Sequence, residues 1–166
     1  MTVAETQVET HVAKIVDALG PVEGMFVVGS ALMGGFDPAT SDLDLVAVVE
    51  RPFDRKAARA ALDELPVPFR KLELVVYARG AKPPAYELNY PDGDGEPDFW
   101  FVLDAAIAQE RVDKWLELLE PVTEDETRTA AEELLQWAEE RQEELHAARA
   151  RHFLEHGKWI TKEEAR

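Results

Sequence analysis

Apolar and polar positions alternate in two different rhythms along this chain. Val8, Val12, Ile15, Val16 and Leu19 recur at helical spacing and stop at Gly20-Pro21, which predicts an opening helix. Gly24-Met25-Phe26-Val27-Val28 reads as a short buried strand running into Gly29-Ser30, and a glycine-containing loop is expected from there to Ser41. Asp42-Leu43-Asp44-Leu45-Val46-Ala47-Val48-Val49 is the clearest strand. Residues 54–65 predict a helix with Asp54 as its N-cap. A third strand is expected over Phe69–Tyr77, after a Pro66-Val67-Pro68 turn.

Residues 79–97 are rich in Pro, Gly and Asp and read as a loop. Its Asp92-Gly93-Asp94-Gly95-Glu96 invites comparison with a calcium loop. Pro97 stands where that loop needs Gly, and no bidentate Glu follows at the right distance, so an acidic turn is expected. Beyond it the rhythm is helical. Residues 98–120 predict one helix closed by Pro121. Thr123-Glu124-Asp125-Glu126 is a capping box opening a helix that runs to Gly157, long enough that a kink is expected within it. Thirteen of the sixteen valines precede residue 80, and Ala, Glu and Leu dominate afterwards, so an α/β part is followed by an all-helical part. A second capping box, Thr161-Lys162-Glu163-Glu164, is followed only by Ala165-Arg166, which raises the expectation that the chain ends before its architecture does.

Composition narrows the functional classes. Thirty-four Asp plus Glu against 18 Lys plus Arg leave a formal charge of −16, which disfavours nucleic acid as a partner and favours cations. A hydrophobic fraction of 46% is enough to build a core. The absence of cysteine removes disulfides, thiolate zinc sites and cysteine nucleophiles together. An acidic start without an apolar segment, and no apolar run of membrane-spanning length, give the expectation of a cytoplasmic protein with no membrane partner.

Chemistry concentrates between Phe26 and Val46. Side chains two apart on a strand share a face, so Asp42 and Asp44 project together while Leu43, Leu45 and Ala47 face packing. Two carboxylates so placed repel unless a cation lies between them, and hard oxygen donors favour Mg²⁺ or Mn²⁺. Glu73 interrupts the otherwise apolar Leu72-Glu73-Leu74-Val75-Val76, and burying an acid there without a partner is costly. If its strand neighbours Asp42–Val49, three carboxylates converge into a ligand set for metal-assisted phosphoryl or nucleotidyl transfer. Gly29-Ser30 completes such a site, with a backbone that can approach phosphate closely and a hydroxyl that can donate to it. No Gly-Lys-Ser/Thr follows, so this is not a Walker A loop. His152 and His156, at i and i+4, read as a polar helix face for want of a third ligand. Trp100, Trp115, Trp137 and Trp159 read as core or interdomain packing, with Trp100 the one placed to wall a ligand.

Gly-Ser followed by Asp-x-Asp entering a strand resembles the signature of the DNA polymerase β-like nucleotidyltransferases. Within them, Gly29-Ser30-Ala31-x-x-Gly34-Gly35, Ser41-Asp42-Leu43-Asp44-Leu45 and Leu72-Glu73-Leu74-Val75-Val76 are similar to the streptomycin/spectinomycin adenylyltransferases, as is the stretch from Arg149 to Ala165. The resemblance implies an α+β fold. A small mixed β-sheet nucleotidyltransferase domain with flanking helices would occupy residues 1–90, and a shortened C-terminal helical domain residues 97–166. It implies Mg²⁺ on Asp42 and Asp44, with Glu73 beside them as ligand and as the base that deprotonates the acceptor hydroxyl. Gly29 and Ser30 would contact the triphosphate, and Arg149 and Lys162 would face ATP across a cleft. The co-substrates would be MgATP and a small cationic aminocyclitol antibiotic. Two departures bear on acceptor choice: the stretch between Glu73 and Arg149 is short for the family, and family members continue past the position of Arg166. A minimal nucleotidyltransferase acting on protein or RNA, as in toxin–antitoxin pairs, and a truncated non-catalytic nucleotide-binding protein are the alternative readings. Dimerisation would cover apolar surface left by missing helices.

Overall fold

The computed structural model describes residues 3–50, 54–64, 71–80, 86–90, 93–95 and 98–166. In chain order the elements are α1 (Val3–Leu19), β1 (Gly24–Val28), α2 (Gly29–Met33), β2 (Asp42–Val49), α3 (Arg55–Asp63), β3 (Lys71–Ala78), β4 (Tyr86–Tyr90) and β5 (Gly93–Gly95). Four helices follow: α4 (Phe99–Arg111), α5 (Trp115–Leu118), α6 (Glu124–Glu140) and α7 (Glu144–His156). The five strands form one mixed sheet in the order β1-β2-β3-β4-β5. β2 and β3 are parallel, and every other neighbouring pair is antiparallel. The fold is therefore α+β, as expected.

The period-2 alternation of β2 and β3 decides which helices cover which face. Leu43, Leu45, Ala47 and Val49 join Leu72, Leu74 and Val76 in a core closed by Ile15 of α1 and Ala58 of α3. Val46, Val48, Val75 and Tyr77 look the other way, onto Phe101, Ala105 and Ala108 of α4 and Trp115 of α5. A third core joins Leu103 of α4 to Ala130, Ala131 and Leu134 of α6 and to Ala150 and Phe153 of α7. Helix α4 thus packs on the sheet with one side and on the helical pair with the other.

Several local expectations hold. Asp54 caps α3, its Oδ1 accepting from Ala57 N at 3.0 Å. The Thr123/Glu126 box is reciprocal, with Thr123 N donating to Glu126 Oε2 and Glu126 N to Thr123 Oγ1. Gly157 closes α7 in the left-handed region, its N–H donating to Phe153 O at 2.7 Å. Thr161 and Glu164 make the same reciprocal pair as the first box.

Other expectations need correction. The loop after Val28 begins with the single helical turn of α2, and the segment 79–97 carries strands β4 and β5, with Asp92, Glu96 and Pro97 outside the described residues. The Pro66-Val67-Pro68 turn and Phe69 also lie outside them. The helix expected over 98–120 breaks after Arg111, because Val112 turns extended and the Gln109 side chain clasps the backbone of Val122 with two hydrogen bonds. The helix expected from 124 to Gly157 is two helices. Arg141–Glu143 reverses the chain, with Gln142 at φ 57°, and lays α7 along α6.

Left-handed backbone costs an L-residue roughly 1–2 kcal/mol, whereas glycine adopts it freely at an entropic cost of about 0.5–1 kcal/mol. Gln142→Gly should therefore raise stability by roughly 0.5–1 kcal/mol in urea unfolding, with the m-value unchanged.

Candidate active site

The parallel register of β2 and β3 brings the expected acids side by side: Asp42 pairs with Lys71 and Asp44 with Glu73. All four side chains belong to the face that continues into Val46, Val48, Val75 and Tyr77, where α4 packs. Asp44 and Glu73 are hydrogen-bonded to each other through their side chains. Two carboxyls can do this only when one of them carries a proton. The carboxyl of Asp44 is pushed well above the ordinary carboxylate value. Burial is the largest cause, followed by the negative charge of Asp104, the hydrogen bond to Glu73, and the charges of Glu73 and Asp42.

Gly29 is shaped to Asp44. Its φ is +60°, and a Cβ built there would collide with Asp44 Oδ2. Only glycine lets the backbone turn at this point and leaves room for the carboxylate. Ser30 follows in α2, half-buried, its carbonyl accepting from Gly34 N at 3.0 Å. Antiparallel pairing of β1 with β2 sets Val28 opposite Asp44, so the Gly29-Ser30 turn opens directly beside the acids.

The helices contribute charges of both signs. Asp104 of α4 bears on Asp44, on the buried Tyr77 hydroxyl, which burial and then Asp104 push upward, and on Arg149 of α7. The Arg149 guanidinium donates from Nε to Ile160 O at 2.8 Å and from Nη2 to Met33 Sδ at 3.8 Å. It therefore reaches from α7 to the end of the Gly-Ser helix. Burial lowers its pKa, opposed by Asp104. Lys162 is exposed and lies close enough to His146 that its charge, with that of Arg149, adds to burial in lowering the imidazole pKa. His146 in turn sits edge-on to Trp100 at 5.1 Å, and Trp100 and Trp137 meet at 6.2 Å. Asp98 caps α4 through Trp100 N at 2.8 Å, and its pKa is raised by burial first and then by Glu73 and Glu133.

Glu73, Asp42, Asp44, Gly29 and Ser30 thus lie together, and Arg149 approaches them from the helical side. Lys162 lies on the same side, further out, beside His146. Asp104 was missed, although it breaks an apolar run (Phe101 to Ala108) as Glu73 does. Lys71, Asp98 and His146 carry no comparable sequence signal. Trp115 is buried against Phe26 and Tyr77, and Trp159 stacks on Phe153 at 4.5 Å, both as packing groups. His152 and His156 lie 4.6 Å apart along α7.

Three observations bear on a divalent cation. The donors are all carboxylates, the chemistry Mg²⁺ and Mn²⁺ prefer. Gly29 leaves Asp44 Oδ2 uncovered by any side chain of its own. Burial and the neighbouring acids raise the Asp44 pKa, a cost that a cation bound there would relieve. The residues fit such an ion, yet among the described residues no three Asp, Glu or His side chains are already gathered as a cage.

A mixed sheet that shows paired acids beyond a Gly-Ser turn, under a cover of helices, defines a nucleotidyltransferase. The chain belongs to that family: the model of the nucleotidyltransferase domain matches residues 10–150. Among solved structures it is similar to the spectinomycin adenyltransferase AAD(9) from Enterococcus faecialis, determined with ATP and spectinomycin. The TM-score is 0.68 at 19% identity, over 99% of this chain and 81% of that one. No curated protein matches the sequence. Among the described residues no helix is long and apolar enough to cross a membrane.

The raised Asp44 pKa gives a pH signature. An unfolded Asp titrates near about 3.9. Folding therefore gains from this group below that value, and the gain is lost as pH rises towards the higher folded value. With divalent ions chelated, Asp44→Asn should melt above the wild type at pH 7–8, by roughly 2–4 °C for each kcal/mol relieved. The difference should vanish near pH 3.5; calorimetric scans across pH check it.

Proposed function

We propose that this protein transfers AMP from MgATP to a hydroxyl of a small cationic acceptor of the aminocyclitol antibiotic class, such as spectinomycin or streptomycin. The observation that carries the reading is the β2/β3 register, which joins Asp44 to Glu73 beside the Gly29 turn. In this reading residues 1–90 form the catalytic part and 97–166 the helical part that shapes the acceptor side. Asp42 and Asp44 would hold Mg²⁺, which supplies charge neutralisation for the triphosphate and the departing pyrophosphate. Gly29 and Ser30 receive the phosphates, and Arg149 and Lys162 balance their charge from the helical side.

Glu73 accepts the proton of the acceptor hydroxyl as that oxygen bonds to the α-phosphorus. The bond from the α-phosphorus to its bridging oxygen breaks, and pyrophosphate leaves with the electron pair. A cationic acceptor is supported by the surroundings of Glu73. Asp98 lies within the field of Glu73 and Glu133, and Trp100 lies two residues after Asp98 at the head of α4. Ammonium groups pair with such carboxylates and with aromatic faces. The net charge of −16 and the similarity to a protein solved with spectinomycin point the same way.

Purified protein with MgATP should release pyrophosphate on addition of spectinomycin or streptomycin, and its expression should protect a sensitive host. Asp44→Asn should lower the turnover at least 100-fold while the fold persists, because removal of one charge-stabilising group typically costs 10²–10³ in rate, about 3–4 kcal/mol. Full activity of that variant would refute the site. Label transferred from ATP to protein or RNA in a lysate, with neither drug labelled, would refute the acceptor.

A further inference from the structure

Among the described residues, the acid-bearing face of the sheet carries a cation beside the acids. Lys71 stands two residues before Glu73 on the same strand face, directly across from Asp42. Its Nζ donates to Glu73 Oε1 at 2.7 Å. The two side chains keep only 22% and 34% of their exposure, so the pair is drawn partly out of water, where a charge-assisted hydrogen bond is stronger than on an open surface. Glu73 is therefore held from two sides, by Lys71 and by Asp44.

We infer that Lys71 is a positioning residue that clamps one oxygen of Glu73, keeps this carboxylate from joining Asp42 and Asp44 as a ligand to a divalent ion, and so reserves it for the acceptor hydroxyl. A divalent ion bound to the oxygen that accepts from Lys71 at 2.7 Å would lie only about 4 Å from the ammonium and be repelled by it, which disfavours that ligation. Adjacent register positions supply three acids, yet no three-ligand cage is gathered among the described residues. The clamp divides the labour between the two aspartates as ion holders and the glutamate as proton acceptor. Without it, Glu73 is free to become a third ligand, which tightens the ion and removes the base.

The division of roles rests on the nucleotidyl-transfer reading, whereas the clamp itself is readable without nucleotide or drug. The full chain is compared with Lys71→Met, Lys71→Gln and Lys71→Arg, titrating Mn²⁺ and following the free ion by electron paramagnetic resonance. Loss of one positive charge beside the site should tighten Mn²⁺ about tenfold in Lys71→Met and Lys71→Gln, while Lys71→Arg stays near the wild type. Turnover with MgATP and spectinomycin should fall about tenfold or more in the two neutral variants with KM for the acceptor little changed, and recover in Lys71→Arg. Unchanged or weaker Mn²⁺ binding in the neutral variants overturns the inference, as does tighter binding with unaltered turnover. Two neutral variants of different polarity, each checked by its thermal melt, guard against a failure of folding. If the wild type transfers nothing to either drug, the proposed acceptor fails, and the Mn²⁺ comparison still decides on the clamp.

Discussion

Like charges pressed together at one point of a sheet govern the rest of this molecule. Parallel pairing of β2 with β3 takes a register that keeps both hydrophobic sets on their own faces, and a slip of one residue would set the leucines of one strand beside the opposite set of the other. That register leaves Asp44 opposite Glu73 and Asp42 opposite Lys71. Burial of the core therefore enforces an arrangement that electrostatics alone opposes, and burial together with the neighbouring charges raises the Asp44 pKa. Apolar contacts along six of the eight paired positions outweigh one strained carboxyl pair. Strain kept at a site and compensated elsewhere is the mark of a fold built around chemistry.

Helix α4 carries this local condition to the rest of the chain. Its apolar residues serve two cores, one on the sheet and one on the α6/α7 pair. Asp104, among those residues, acts on Asp44 in one direction and on Arg149 in the other. Arg149 is itself fastened to Ile160 O and touches Met33 at the end of the Gly-Ser helix. The sheet acids, the Gly-Ser helix and the C-terminal segment are thus connected through a few half-buried polar groups. A shift of α7 would disturb the surroundings of Asp44 without any direct contact to it.

Much of this was legible in the residues, and the reason is physical. Strands β1 and β2 were placed to the residue because alternation and flanking glycine mark them. The Asp-x-Asp pair and Glu73 stood out because an acid in an apolar strand demands a partner. The strands within 79–97 were missed because Gly, Pro and Asp dominate there, and pairing with the edge of β3 outweighs low propensity. Both long helices were overextended. Helical periodicity continues across Val112 and Gln142, whereas the breaks come from tertiary contacts, with Trp115 drawn into the sheet core and α7 folded back on α6. Asp104 carried the same signal as Glu73 on a helical period. Lys71 carried none, because its importance lies in what the register places beside it.

In the proposed reaction the two co-substrates have opposite charges, and a chain of net charge −16 must hold both. In that reading it would do so by separating them. Toward the Gly-Ser turn and α7 lies the basic side, Arg149 with Lys162 beyond it. Toward the head of α4 lies the acidic and aromatic side, Asp98 with Trp100 and the nearby Glu133. His146 stands at the seam, edge-on to Trp100 and under the field of both basic residues, which together with burial favours its neutral form. A neutral ring there adds no positive charge to repel a cationic acceptor from the aromatic side. Glu73 lies where the two sides meet, sensed by Asp98 and joined to Asp44. A proton leaving a hydroxyl of a cationic acceptor and a phosphoryl centre leaving pyrophosphate have to meet at such a boundary, and the β2/β3 register is what puts a carboxylate on it.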